Sequence, residues 1–131
     1  AINIPMVLWN KTTKVSFRMD GSRSMVVDNN DDDLNVKATS IDDFVSTQNL
    51  TKIDFIKLDV EGAEPNVLKG GVESIKLFRP ALAVSIYHHL KHYFEIPLYL
   101  NEQLTDYQYN IDYYNPYCID TILYAVPIEK L

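Results

Sequence analysis

Two apolar-rich stretches, each stopping abruptly on polar residues, dominate the hydropathy pattern of the chain. The first, residues 53–60, has Phe55 on one face and Ile56, Leu58 and Val60 on the other. Apolar residues on both faces predict a strand covered by helices on either side, as in a parallel sheet. It stops at Asp59, Glu61 and Gly62, and Pro65 follows where the first turn of a helix would begin, a position that suits its fixed φ and missing N–H. The second run, residues 81–86, closes on Tyr87 and His88. Between them Leu68, Val72 and Ile75 recur at i, i+4 and i+7, with Phe78 continuing the stripe. That spacing predicts a helix, kinked or split in two by Gly70-Gly71 and ended by Arg79-Pro80. A repeated strand–helix–strand unit implies a parallel α/β sheet with right-handed crossovers.

Around this centre the pattern is weaker. Residues 2–8 are apolar but contain Pro5, so they read as a strand near an edge. Residues 15–19 alternate as a half-exposed strand does, and the turn-like residues 10–13 suggest that the two form a hairpin. Residues 20–35 are polar, with Met25-Val26-Val27 the sole apolar island, and read as a loop or short strand. A short strand at residues 36–39 leads into Ser40, an N-cap with Asp43 as a weak capping-box partner. The helix it opens ends near Gln48. Residues 89–104 read as helical on either side of Pro97. Residues 107–114 and 119–126 read as two strands around the turn Asn115-Pro116. The whole is expected to be one domain of residues 1–131: a hairpin and polar loop over 1–35, then an α/β core over 36–131.

Composition narrows the function classes. The chain has 131 residues, 47% hydrophobic, with 12 basic against 18 acidic residues and a net charge of −6. Lacking a basic run, it does not read as a nucleic-acid binder. No apolar run is long enough to span a membrane and no signal peptide is recognisable, so no membrane partner is expected. Cys118 is alone, which fits a reducing, cytoplasmic setting. Asp31, Asp32 and Asp33 lack the glycine and distal glutamate of a calcium loop and read as a solvated loop. His88 and His92 have the spacing of a metal pair, but no third ligand is evident, so no metal site is expected.

The residues carrying the two apolar runs also carry a resemblance. Lys57-Leu58-Asp59-Val60-Glu61-Gly62-Ala63-Glu64, then Val67-Leu68-Lys69-Gly70-Gly71, then Arg79-Pro80 and Ser85-Ile86-Tyr87-His88, resemble the FkbM-type S-adenosylmethionine-dependent methyltransferases in order and spacing. The likeness runs from about residue 8 to residue 127. It implies a partial class I, Rossmann-like methyltransferase sheet with a terminal antiparallel strand pair. The first two strands and the glycine-rich loop of that family would lie upstream of Ala1, and no G-x-G pattern occurs among the four glycines. The absent strands would fall between the strand at 2–8 and the one at 53–59. The chain therefore looks like a fragment lacking the middle of its own sheet. Its exposed edge would be filled by dimerisation, strand exchange or a rearranged hairpin.

In open α/β sheets ligands bind outside the carboxyl ends of the strands, which singles out Asp59, Glu61 and His88. The resemblance implies that these are catalytic and that Asp59 and Val60 meet the cofactor S-adenosylmethionine. Asp59 would orient or deprotonate an acceptor hydroxyl; its plainer reading is a helix cap. Glu61 carries the same two readings. His88 reads as a base, an acceptor contact or an ordinary hydrogen-bonded histidine. Lys57, unusual in a buried strand, would pair with one of the carboxylates. Glu64 reads as a charge favourable at a helix N-terminus, and His89 and His92 as helix-surface residues. The tyrosines at 107, 109, 113, 114, 117 and 124 could wall an acceptor pocket, and strand propensity explains them equally. Asp112 and Tyr113 stand where a common family version has Arg-His. The expected reaction is methyl transfer to a hydroxyl of a sugar or secondary metabolite, a small-molecule acceptor. The alternative is a non-catalytic α/β scaffold or interaction module descended from such an enzyme.

Overall fold

The computed structural model describes residues 3–20, 23–27, 35–114 and 120–131, with residues 17–20, 23–27 and 35 described by their backbone alone. The Asn115-Pro116 turn, Cys118 and Asp31 to Asp33 lie outside the described residues. The chain folds as mixed α/β around two four-stranded sheets.

The first sheet contains β1 (Val7–Leu8), β2 (Thr13–Asp20), β3 (Arg23–Val27) and β4 (Asn35–Thr39), in the order β1-β4-β2-β3. The expected hairpin between the first two strands does not form. β4 slots between them, parallel to β1 through Val7↔Ala38 and antiparallel to β2 through Val15↔Val36. The hairpin partner of β2 is instead β3, which takes up the apolar island at Met25 to Val27. Local alternation cannot reveal such an insertion. What favours it is burial: Val15 and Ala38 pack with Trp9 and Ala63 in a small second core.

Ser40 then caps α1 (Ile41–Thr47) as expected, its hydroxyl accepting from the Asp43 N–H at 3.0 Å. Loss of such a cap costs about 1 kcal/mol. The Asp43 carboxylate also receives the Thr12 hydroxyl, tying the β1–β2 bend to this helix and drawing the Asp43 pKa down.

The second sheet holds β5 (Phe55–Leu58), β6 (Ala81–Ser85), β7 (Tyr107–Tyr113) and β8 (Thr121–Pro127), in the order β5-β6-β8-β7. β5 and β6 are parallel, while β8 runs antiparallel to both β6 and β7. The terminal antiparallel pair is thus present. β5, however, is an edge strand of this sheet, so Phe55 and Lys57 are exposed rather than sandwiched between helices. Between β5 and β6 run α2 (Glu64–Lys69) and α3 (Val72–Phe78), two short helices parted at Gly70-Gly71. A Cβ on Gly70 would lie 2.4 Å from the Trp9 carbonyl oxygen, and one on Gly71 would lie 2.8 Å from Ile41. Both glycines are there for close approach. Asp42 of α1 reaches across this seam and accepts from the Ser74 N–H at 2.8 Å, capping α3 from outside. α4 (His92–Gln103) is one continuous helix through Pro97, not two segments around it.

The main core joins Leu58, Val67, Leu68, Ile75, Leu82, Val84, Ile86, Ile96, Leu100 and Leu123, each contributing about 1.5–3 kcal/mol by burial. At the amino ends of β5 and β6, Arg79 ends α3 in a left-handed conformation, φ 49°. Its guanidinium pairs with Glu129, donates to the Thr105 and Asp106 carbonyls and lies 5.0 Å from the Tyr107 ring centre. Among the described residues no helix is long and apolar enough to cross a membrane.

The two sheets leave a groove of about 450 Å³ between the β1 and β5 edges. It is lined on one side by Ile4, Met6 and Leu8 and on the other by Ile53, Phe55 and Ile56.

Candidate functional site

Residues 59–64 form a carboxylate-bearing turn at the carboxyl end of β5. The Ala63 N–H closes it onto the Val60 carbonyl at 3.1 Å. Its two central residues both have positive φ, Glu61 at 51° and Gly62 at 97°. Glycine takes this conformation freely, whereas for Glu61 the left-handed backbone costs about 1–2 kcal/mol. A Cβ on Gly62 would lie 2.7 Å from Nε2 of the exposed His89 ring, which can swing aside, so it is the positive φ that calls for glycine here. The turn thus aims the Glu61 carboxylate at the end of the neighbouring strand.

The neighbouring strand is β6, and two residues past its last paired position the chain reaches Tyr87 and His88. The parallel register Leu58↔Val84 brings His88 beside the turn. Its Nε2 lies 3.6 Å from Asp59 Oδ1 and 3.6 Å from Glu61 Oε2, while Nδ1 lies 3.0 Å from Glu64 Oε1. The His88 side chain is only 8% exposed, and neither ring nitrogen has an aligned hydrogen bond. Asp59 and Glu61 stay open to solvent on the rim. The three residues singled out as catalytic therefore converge.

Several neighbours depart from expectation. Asp59 does not cap α2; its partners are Lys57 Nζ at 3.5 Å, the Tyr87 hydroxyl at 3.4 Å and His88. The Lys57 pairing is present, but on an exposed strand edge. Glu64 does open α2 at its N-terminus, as expected, but not as a solvated charge. It is wholly buried, with Oε1 accepting from the Val60 N–H at 2.9 Å and Oε2 left without a hydrogen bond. His92 is likewise buried rather than on the helix surface, its Nδ1 3.7 Å from Glu64 Oε2. Burial lowers its pKa against the opposing pull of Glu64. Burial, and then the Asp59 charge, raises the Tyr87 phenol. Glu64 is the member of this cluster that sequence reasoning left out. The signal was its place in a turn bearing three carboxylates ahead of an apolar helix, but its burial depends on His88 and His92 arriving from elsewhere in the chain.

Val60 gives its N–H to Glu64 and its carbonyl to Ala63, and its half-buried side chain packs against both cores. Asp112 and Tyr113 lie on β7, exposed, with Tyr114 and Tyr124 sharing a 2.6 Å hydroxyl contact nearby. They are not brought to the His88 cluster by any contact among the described residues. Tyr107 is core, its hydroxyl donating to the Pro80 carbonyl at 3.1 Å.

A family profile, the methyltransferase FkbM domain, matches residues 7–111. The chain belongs to the FkbM methyltransferase family. Among solved structures, the FkbM methyltransferase from Methylobacillus flagellatus KT is similar at 26% sequence identity with a TM-score of 0.68. The likeness covers 90% of this chain and 26% of that one, so the chain spans about a quarter of the relative's length. No curated protein matches. The FkbM match takes in β1 through most of β7, including the whole Asp59–His88 cluster.

Proposed function

We propose that this chain works as part of a class I, Rossmann-like methyltransferase that uses S-adenosylmethionine to methylate a hydroxyl oxygen of a small acceptor, a sugar or secondary metabolite, in the cytoplasm. The observation that carries it is the meeting of Asp59, Glu61 and His88 at the carboxyl ends of two adjacent parallel strands, where α/β sheets hold their ligands. The residues present fit the cofactor in charge: an open carboxylate rim suits a sulfonium cation. When bound, S-adenosylmethionine supplies an electrophilic methyl group. Asp59 and Val60 would face it, Asp59 by its charge and Val60 as apolar wall, since the Val60 backbone groups are already bonded. Asp59, Glu61 and His88 would orient the acceptor hydroxyl and receive its proton.

Calorimetric titration of the full-length protein with S-adenosylhomocysteine, in EDTA, tests this reading. Binding at micromolar affinity is expected, and no binding would overturn it. The 131 residues alone should bind the product weakly or not at all, because no described residue forms a glycine-rich phosphate or ribose loop. The reading further assigns the apolar groove to strands that complete the sheet. In their absence β5 is the edge through which two copies pair. Sedimentation velocity on the 131 residues should then show self-association that Phe55→Lys reduces at least tenfold; a monomer at high concentration would contradict the pairing.

A further inference from the structure

The His88 cluster is electrostatically unfinished. Three carboxylates, Asp59, Glu61 and Glu64, stand within 3.6 Å of one imidazole, and the nearest fixed cation, Lys57, touches only the outer oxygen of Asp59. Glu64 is wholly buried with Oε2 unpartnered, and both nitrogens of the buried His88 ring lack aligned hydrogen bonds. Burying a carboxylate without full compensation is costly. Asp59, Glu64 and His88 each offer a ligand atom, all within 4.8 Å of one another.

We infer that this cluster is a binding site for a divalent transition cation, held by His88, Asp59 and Glu64, with the Glu61 carboxylate beside it on the rim. The separation supports this. Zinc-type bonds of about 2.1 Å to nitrogen and oxygen in tetrahedral array put ligand atoms about 3.4 Å apart, close to the 3.6 Å from His88 Nε2 to Asp59 Oδ1. The second shell supports it too. Groups behind the ligands of a metal site orient them, and His92 Nδ1 stands 3.7 Å from Glu64 Oε2. Glu64 is in turn anchored by the Val60 N–H at 2.9 Å. One imidazole with two carboxylates suits zinc, manganese or cobalt over calcium. Three protein ligands on an open rim leave a further position free. On the methyltransferase reading, that position would take the oxygen of the acceptor hydroxyl and hold it at the strand ends, with the unligated Glu61 carboxylate left to receive its proton.

The test is titration of the metal-free, full-length protein with Zn²⁺ alone, followed by Co²⁺ absorption spectroscopy. One ion per chain is expected, with visible cobalt bands that His88→Ala abolishes. Asp59→Asn, on the exposed rim, should weaken binding at least tenfold, and Glu61→Gln, beside the ion, by less. Glu64→Gln should weaken it at least tenfold as well. Stoichiometry below one ion, or affinity unchanged in both rim variants, would overturn the site. Because no cofactor is present in these titrations, and S-adenosylhomocysteine is titrated in EDTA, a failed metal site and a failed methyltransferase reading give separate results.

Discussion

Glu61 and Arg79 are both left-handed residues without a glycine's freedom, and they sit at opposite ends of the same pair of parallel strands. Around Arg79 every charge is answered. Glu129 pairs with it, the Thr105 and Asp106 carbonyls accept from it, and Lys130 donates to its carbonyl. Around Glu61 the account stays open, with buried carboxylate and imidazole atoms facing one another unbonded. A satisfied cluster holds a fold together, whereas an unsatisfied one is retained against its folding cost and points to a ligand.

Substitutions at the two ends should separate these roles. On the methyltransferase reading, the largest effect is expected from Asp59→Asn, which should lower methyl transfer by about 10²- to 10⁴-fold while changing unfolding free energy by no more than about 0.5 kcal/mol, as for other exposed positions. Steady-state kinetics beside denaturant melts would show it; a parallel fall in both would remove the distinction. At the other end, Tyr107→Phe leaves the Pro80 carbonyl without its donor. It should cost about 1–2 kcal/mol and leave cofactor binding unchanged. Glu61→Gly should relieve the left-handed backbone and stabilise the fold by up to about 1 kcal/mol, yet weaken function. Equal or lower stability in that variant would mean the turn is not strained.

The smallest effect is one of pH. The Arg79 hydrogen bonds hold the Glu129 carboxyl down at about 2, from an ordinary 4.5. A depressed carboxylate stabilises the fold above its unfolded pKa and loses that contribution as pH falls through the folded one. The melting-temperature gap between the protein and Glu129→Gln should therefore be full above about pH 4.5 and close towards pH 2. A gap that does not narrow would show that the ion pair contributes nothing.

What could be read in the sequence followed how local each signal was. The β5 turn, the Ser40 cap, the split at Gly70-Gly71 and the strand closing on His88 are stretches of a few residues whose own chemistry sets their conformation. The convergence of Asp59, Glu61 and His88 was legible because parallel neighbouring strands must end side by side. The β1–β2 hairpin failed as a reading since β4, a distant segment, competes for the same edge. His92 was misplaced for a related reason: the buried Glu64 it stands 3.7 Å from lies at the other end of a long connection. Pro97 passed through α4 because tertiary packing of Ile96 and Leu100 outweighs one lost backbone bond.

The seam at Gly70-Gly71 governs more than the helices it parts. Trp9 and Asn10, just beyond β1, and Ile41, at the head of α1, rest directly on its backbone. Those same segments carry one bank of the apolar groove, through Leu8 and Ile41. The gauge of that groove is therefore set from behind, by two missing side chains that never line it. A methyl group at either glycine would act as a shim, tilting the first sheet and changing what width of backbone the β1 and β5 edges could admit.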